Sequence, residues 1–434
     1  MQTKAKEKIN IVTLGCAKNL VDSEVLMTQL KGNKKDVFHQ REDINPDIVI
    51  INTCGFIEKA KQESIDTILK HAKEKEDGII KKLYVTGCLS ERYKDDLKTD
   101  IPEVDGFYGT RDLPELLKNF EAKYRNELLG DRIITTDSHY AYLKISEGCD
   151  RPCSFCAIPL MRGRHISKPI DQIILEAKNL VRNGVREIML IAQDSTYYGI
   201  DIYKKRAISE LLKKLSDVEG LDWIRIHYAY PAGFPMDIIE VMRERDNICN
   251  YLDIPLQHGS TKILKVMKRG ITREKTDELI QNIRDINPEI ALRTTLIAGH
   301  PGETERDFQE MYDFVERSQF DRLGIFTYSH EEGTSAHKLE DDVPEQVKRS
   351  RSNKIMALQQ KISTQKNKNK VGKTVKVLID RVDANNYYGR TEQDSPEVDN
   401  EVIIPSKEMH LRVGDFYDVK ITDSKEYDLI GKVD

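Results

Sequence analysis

Three cysteines, Cys149, Cys153 and Cys156, stand as C-x3-C-x2-C in the segment EGCDRPCSFCAIP. Three thiolates in so short a loop can wrap one metal centre. A structural zinc site takes four ligands, and the nearest candidate for a fourth, His165, lies nine residues past Cys156. A four-iron cluster takes one thiolate per iron, so three cysteines leave one iron open to a substrate. Three further cysteines are far apart in sequence but placed alike. Cys16 follows IVTLG, Cys54 follows VIINT and Cys88 follows LYVTG, each just past the end of an apolar run that reads as a parallel strand. In an open α/β sheet such strand ends border the ligand crevice. These three could therefore meet and bind a second cluster. Cys249, in DNICNYLDI, has no such company and is expected to be a core residue.

The elements that must position these cysteines fall into three textures. From residue 9, strands IVTLG (11–15), DIVIINT (47–53) and KLYVTG (82–87) alternate with helical stretches, which predicts a small α/β domain with a parallel sheet over 8–124. Six more strands, AYLKIS (141–146), REIMLIA (186–192), DWIRIHY (222–228), YLDIPL (251–256), ALRTTLIA (291–298) and RLGIFTY (322–328), have helix-sized intervals after most of them. They predict a partial (β/α) barrel of TIM type within 135–365, short of the eight units of a closed one. The Lys/Arg-rich stretch 345–370 reads as an exposed connecting helix. From about 368 to 434, short strands broken by Gly, Asn and Pro predict a small antiparallel OB-like barrel.

Of the 434 residues, 39% are hydrophobic and 32% charged, the balance of a globular chain with real cores. The opening MQTKAKEKIN has no apolar signal region, and no stretch approaches the roughly 18 apolar residues of a membrane span, so a cytoplasmic protein is expected. Seven cysteines, an odd number, argue against a disulfide framework. A net charge of −5 argues against a protein that coats nucleic acid by bulk electrostatics.

The loop CDRPCSFC resembles that of radical S-adenosylmethionine enzymes, and the three strand-end cysteines are similar to those of the methylthiotransferases among them. The resemblance spans nearly the whole chain. It implies an amino-terminal cluster domain, a radical barrel and a terminal TRAM barrel. It also implies two [4Fe-4S] clusters, one on Cys149, Cys153 and Cys156 and an auxiliary one on Cys16, Cys54 and Cys88. S-adenosyl-L-methionine would serve both as radical source and as methyl donor, with an electron donor such as flavodoxin or ferredoxin. Within the family, LGCAKNLVDSE (14–24), HYAYP (227–231), HPGETERDF (300–308) and GRTEQDSPEVDN (389–400) resemble the RimO type. That type modifies the β-carbon of an aspartate in small-subunit ribosomal protein S-twelve; the alternative branch modifies an adenosine of transfer RNA. Asn400 departs from the pattern, standing where Gly is expected, in a turn where Asn tolerates the same backbone shape.

Charge points the same way. From Val371 to Asp434 there are 14 Asp and Glu against nine Lys and Arg. An RNA-binding barrel should be basic, whereas an acidic one suits a basic protein such as a ribosomal protein. Arg162 and Arg164 could contact a carboxylate, and Gln193, Asp194, Gln257 and His258 fall just after strands, where catalytic groups collect. Glu303 is expected to cap the helix that follows it. With no coiled-coil seam or apolar interface strip, a monomer is expected.

Overall fold

The computed structural model describes residues 7–128, 130–406 and 410–433. Residues 1–6, read above as lacking an export signal, and Lys407, Glu408 and Asp434, counted in the terminal charge, lie outside them. Strands β1 (Lys8–Thr13), β2 (Asp36–His39), β3 (Ile48–Thr53), β4 (Lys82–Gly87) and β5 (Gly106–Phe107) form a parallel sheet in the order β2-β1-β3-β4-β5. β2 and β5 are too short to show a period and were not foreseen. Side chains alternate across β3: Ile48 and Ile50 pack with Leu26 and Leu30, while Val49 and Ile51 pack on the other face with Ile68 and Leu89. Burial on both faces explains the unbroken apolar run IVII. The strand order reverses between β1 and β3, the place where sheets of this topology open a crevice at their carboxyl ends. Helices α1 (Ala17–Gly32), α2 (Glu58–Glu76) and α3 (Cys88–Asp100) leave from those ends, and α4 (Leu113–Lys118) follows β5.

A second sheet holds the six anticipated strands: β6 (Tyr140–Lys144), β9 (Glu187–Ile191), β10 (Trp223–Ile226), β11 (Ile248–Asp253), β12 (Ala291–Ala298) and β13 (Arg322–Thr327). They are all parallel, in the order β13-β12-β11-β10-β9-β6. Between β6 and β9, the two-residue strands β7 (Ser146–Glu147) and β8 (Ile166–Ser167) pair antiparallel and close the base of the cysteine loop. β11 ends before the expected Leu256, because Pro255 has no N–H to give to a ladder. One face of this sheet, with Leu143, Leu190, Ile224, Leu252 and Leu292, packs under the helices. Among the described residues no helix is long and apolar enough to cross a membrane.

Helix Glu345–Lys368 is not the exposed connector expected from its charge. Ile355, Leu358 and Ile362 make a narrow stripe buried against the second sheet, and Arg351 donates from Nη1 to Glu303 Oε1 at 2.9 Å. The stripe is diluted by the Lys and Arg around it, which hides it in the sequence.

The terminal strands β14 (Thr374–Val382), β15 (Asn386–Arg390), β16 (Val402–Pro405), β17 (Phe416–Ser424) and β18 (Leu429–Val433) close into a barrel. The named pairings are antiparallel except β16 with β18, which is parallel. β15 stops at Arg390, and the chain then leaves the barrel. Residues 391–399 instead fill the amino-terminal end of the second sheet. Asp394 accepts from Arg322 Nε at 2.9 Å, Glu397 from the hydroxyls of Tyr140 and Tyr142 at 3.0 and 3.1 Å, and Asp399 from Tyr251 at 2.7 Å. Arg390 joins Asp380 to Glu187, which also pairs with Arg225. Three of the acids read above as a face for a basic partner, Asp380, Asp394 and Asp399, are thus spent inside the molecule on Arg390, Arg322 and Arg293. Asn400 is not in a left-handed turn; its side chain donates to the Tyr427 carbonyl, and the positive φ belongs to Glu397 (69°).

Breaking one of these pairs leaves a buried charge alone, so Arg322→Ala or Asp394→Ala should each cost about 3–5 kcal/mol in urea unfolding. His227, wholly buried with Nε2 3.0 Å from Ser395 Oγ, is held down to about 3 by that burial. The unfolded chain takes up a proton near pH 6.5 that the folded chain refuses, so this contribution is lost as pH falls below that value. Wild type should lose about 1.4 kcal/mol per pH unit more than His227→Gln between pH 6 and 4, read from unfolding at each pH.

Candidate functional site

Cys16, Cys54 and Cys88 stand at the carboxyl ends of β1, β3 and β4, as expected. Glycine lets their loops close on one another. A Cβ on Gly15, which has φ +94°, would sit 2.7 Å from Cys54 Cβ, and one on Gly55 would sit 2.8 Å from the Leu89 nitrogen beside Cys88. Ser64 fixes the Cys54 backbone, accepting from its N–H and donating to its carbonyl, both at 3.0 Å. Cys16 is exposed, while Cys54 and Cys88 are buried.

The second set is carried by the loop between β7 and helix α5 (Ile158–Arg162). The Arg151 N–H points at Cys149 Sγ (3.4 Å), and Arg269 Nη1 at Cys153 Sγ (3.2 Å). Arg151 and Arg269 also both lie over the Tyr230 ring, at 4.1 and 4.3 Å from its centroid. Burial pushes Cys149 up to about 11, and Cys88 and Cys156 up to about 12. Free thiols so raised are poor nucleophiles; only a bound metal would ionise them. Among the described residues no three His, Cys, Asp or Glu converge tightly enough for a single metal ion. A four-iron cluster asks less convergence, one sulfur at each of three irons. Sulfurs that receive N–H donors suit it.

The two sets meet across α5. Cys88 packs with Ala157 and Met161, and Arg162 Nε donates to Cys88 Sγ at 3.3 Å. Arg162 is 2% exposed and reaches Asp22 (2.6 Å) and Glu147 (3.2 Å), bearing out its expected contact with carboxylates. Arg164 is exposed and makes no such contact among the described residues. Lys144 bonds the same two acids. Burial would raise Glu147, but Lys144 and Arg162 outweigh it and hold this carboxyl at about 2. Gln193 donates to Glu147 at 3.0 Å.

Asp194, 3% exposed, holds Arg151 at 2.7 Å and borders a cavity of about 100 Å³ with Cys149, Asp150, His165 and Tyr197. His165 shares a hydrogen bond of 2.9 Å with Ser167, and its buried Nδ1 has no hydrogen-bond partner among the described residues. Gln257 has φ +74° and Tyr228 φ +61°, strained backbones for residues with side chains, both just past barrel strands. The Lys18 ammonium lies 3.5 Å from the Tyr228 ring. His258 and Glu303 form a buried pair at 3.2 Å. Glu303 is not the helix cap; Thr304 and Asp307 form the capping box there. Cys249 is buried with Trp223, Tyr251 and Leu378, a core residue as expected. Lys144, Glu147, Tyr230 and Arg269 were not singled out in the sequence. HYAYP carried a signal for Tyr230, but nothing local marked Arg269.

Residues 8–109 match a model described as Uncharacterized protein family UPF0004, residues 143–315 the Radical SAM superfamily, and residues 371–433 the TRAM domain. The chain is 58% identical over 428 residues to ribosomal protein uS12 methylthiotransferase RimO of Cytophaga hutchinsonii, covering 99% of this chain and 98% of that one. It is 57% identical over 434 residues to the protein of the same name from Christiangramia forsetii, covering 100% and 96%. In fold alone it is similar to the radical S-adenosylmethionine methyltransferase TsrM from Kitasatospora setae, with TM-score 0.56 and 14% identity over 74% of this chain and 73% of that one.

Gly148 has φ +74°, and a Cβ there would stand 2.0 Å from the Arg164 carbonyl oxygen. Gly148→Ala should therefore displace the Cys149 loop and lower bound iron by about half after anaerobic reconstitution, measured beside wild type.

Proposed function

The chain belongs to the RimO family of radical S-adenosylmethionine methylthiotransferases, and on that premise we propose that it adds a methylthio group to the β-carbon of an aspartate in ribosomal protein uS12. The observation that carries the reading is the pairing of two three-cysteine sets across one five-residue helix. The enzyme uses S-adenosylmethionine and [4Fe-4S] clusters. In our reading Cys149, Cys153 and Cys156 hold the radical cluster, and Cys16, Cys54 and Cys88 the auxiliary one. When bound, the radical cluster supplies an electron to S-adenosylmethionine, and with it a radical able to break an unactivated C–H bond.

The chain's own residues then have definite tasks. Arg269 and the Arg151 amide offer hydrogen bonds to the radical-site sulfurs, and Asp194 holds Arg151 in place. Residues 391–399 close the amino-terminal end of the second sheet, opposite the cysteine loops. Tyr228 and Gln257, held in strained conformations at the strand ends, are rigid edges against which a substrate loop could be set. A donor such as flavodoxin or ferredoxin, a cytoplasmic location and a monomeric state complete the proposal.

The test is iron content and product together. Wild type should bind about eight irons and the Cys149→Ala, Cys153→Ala, Cys156→Ala variant about four. The Cys16→Ala, Cys54→Ala, Cys88→Ala variant should still release 5'-deoxyadenosine while leaving uS12 unmodified by mass spectrometry. Methylthiolation by that second variant would remove the auxiliary cluster from the scheme.

A further inference from the structure

Among the buried groups, Arg162 stands out because its contacts reach all three amino-terminal cysteine loops while its backbone belongs to the radical-site helix. Nε donates to Cys88 Sγ at 3.3 Å. Nη2 donates to Asn19 Oδ1, and the Asn19 amide in turn donates to the carbonyls of Leu14 (2.7 Å) and Thr53 (3.0 Å), beside Cys16 and Cys54. Nη1 is held by Asp22 at 2.6 Å. From the other side, Thr110 donates to the Met161 carbonyl (2.8 Å) and Arg111 to that of Arg162 (2.6 Å), so the end of α5 is gripped by the first sheet's loops. Arg162 follows Cys156 by six positions, the last five of them helix α5.

We propose that Arg162 is a positioning residue that sets both the register between the two cysteine sets and the reduction potential of the auxiliary cluster. The inference rests on the reading that Cys16, Cys54 and Cys88 hold that cluster. Arg162 and Lys144 are matched in charge by Asp22 and Glu147. The thiolates of a bound cluster add negative charge in a buried place, and one-electron reduction adds one more. A guanidinium donating to a ligand sulfur stabilises the reduced form, because hydrogen bonds and nearby cations raise cluster potentials. A lysine would keep the charge but cannot reach the sulfur, Asn19 and Asp22 in one plane.

The measurement is a redox titration of the auxiliary cluster followed by electron paramagnetic resonance, in the full-length Cys149→Ala, Cys153→Ala, Cys156→Ala background. Arg162→Met should keep about four irons and shift the midpoint potential downward, with Arg162→Lys shifting it less. If Arg162→Met fails to fold, Arg162→Lys alone decides by the same downward shift. Unchanged midpoints in the variants that hold iron would overturn the inference while leaving the auxiliary cluster intact. An iron-free background protein would overturn the cluster reading and the inference with it.

Discussion

A charge taken out of water must be neutralised where it lies, and the placement of buried arginines governs how the parts of this molecule meet. At the carboxyl end of the second sheet Arg162 draws on Asp22 and Asn19 from α1, Glu147 from β7 and Cys88 from α3. At the opposite end Arg225, Arg293 and Arg322 are met by Glu187, Asp399 and Asp394, two of them from the terminal segment 391–399. Apolar packing of similar volume could give equal stability. What the charges supply is register, since a slipped interface would leave a cation unpaired.

The same constraint explains why the cysteine sets stand close together. α5 is too short to be a stable helix alone, and it is fixed by contacts at both ends. Cys156 precedes it, Arg162 closes it, and Thr110 and Arg111 take its last carbonyls. A displacement of the first sheet against the second would break the Arg162 bond to Cys88 and the grip on α5 together. The site is thus assembled by docking rather than within either sheet.

Conformational strain gathers beside it. Tyr228 and Gln257 keep left-handed backbones just past their strands, where Ser195 and Thr295 engage the neighbouring backbone. Such conformations persist only where the surroundings over-determine them. They border the region to which Cys153, Arg151 and Arg269 also turn through Tyr230.

The placement of the six cysteines on loops beside strand ends, the three textures of the chain and most of its longer strands were legible because they follow from local rules of period and turn chemistry. The cysteines after β1, β3 and β4 could be paired in thought because strand ends of a parallel sheet share one edge. What the sequence could not carry was the destination of its charges. The acids of 391–399 read as part of a surface for a basic partner, yet Asp399 and Asp394 turn inward to arginines on β12 and β13, while Glu392 bonds Asn250 and Glu397 the tyrosines of β6. The helix Glu345–Lys368 read as exposed because its apolar stripe is thin. Ion pairs between residues hundreds of positions apart have no period and no motif. Only the packing of the three sheets, which fixes the distances at which such charges meet, decided that Arg162 would join the two cysteine sets.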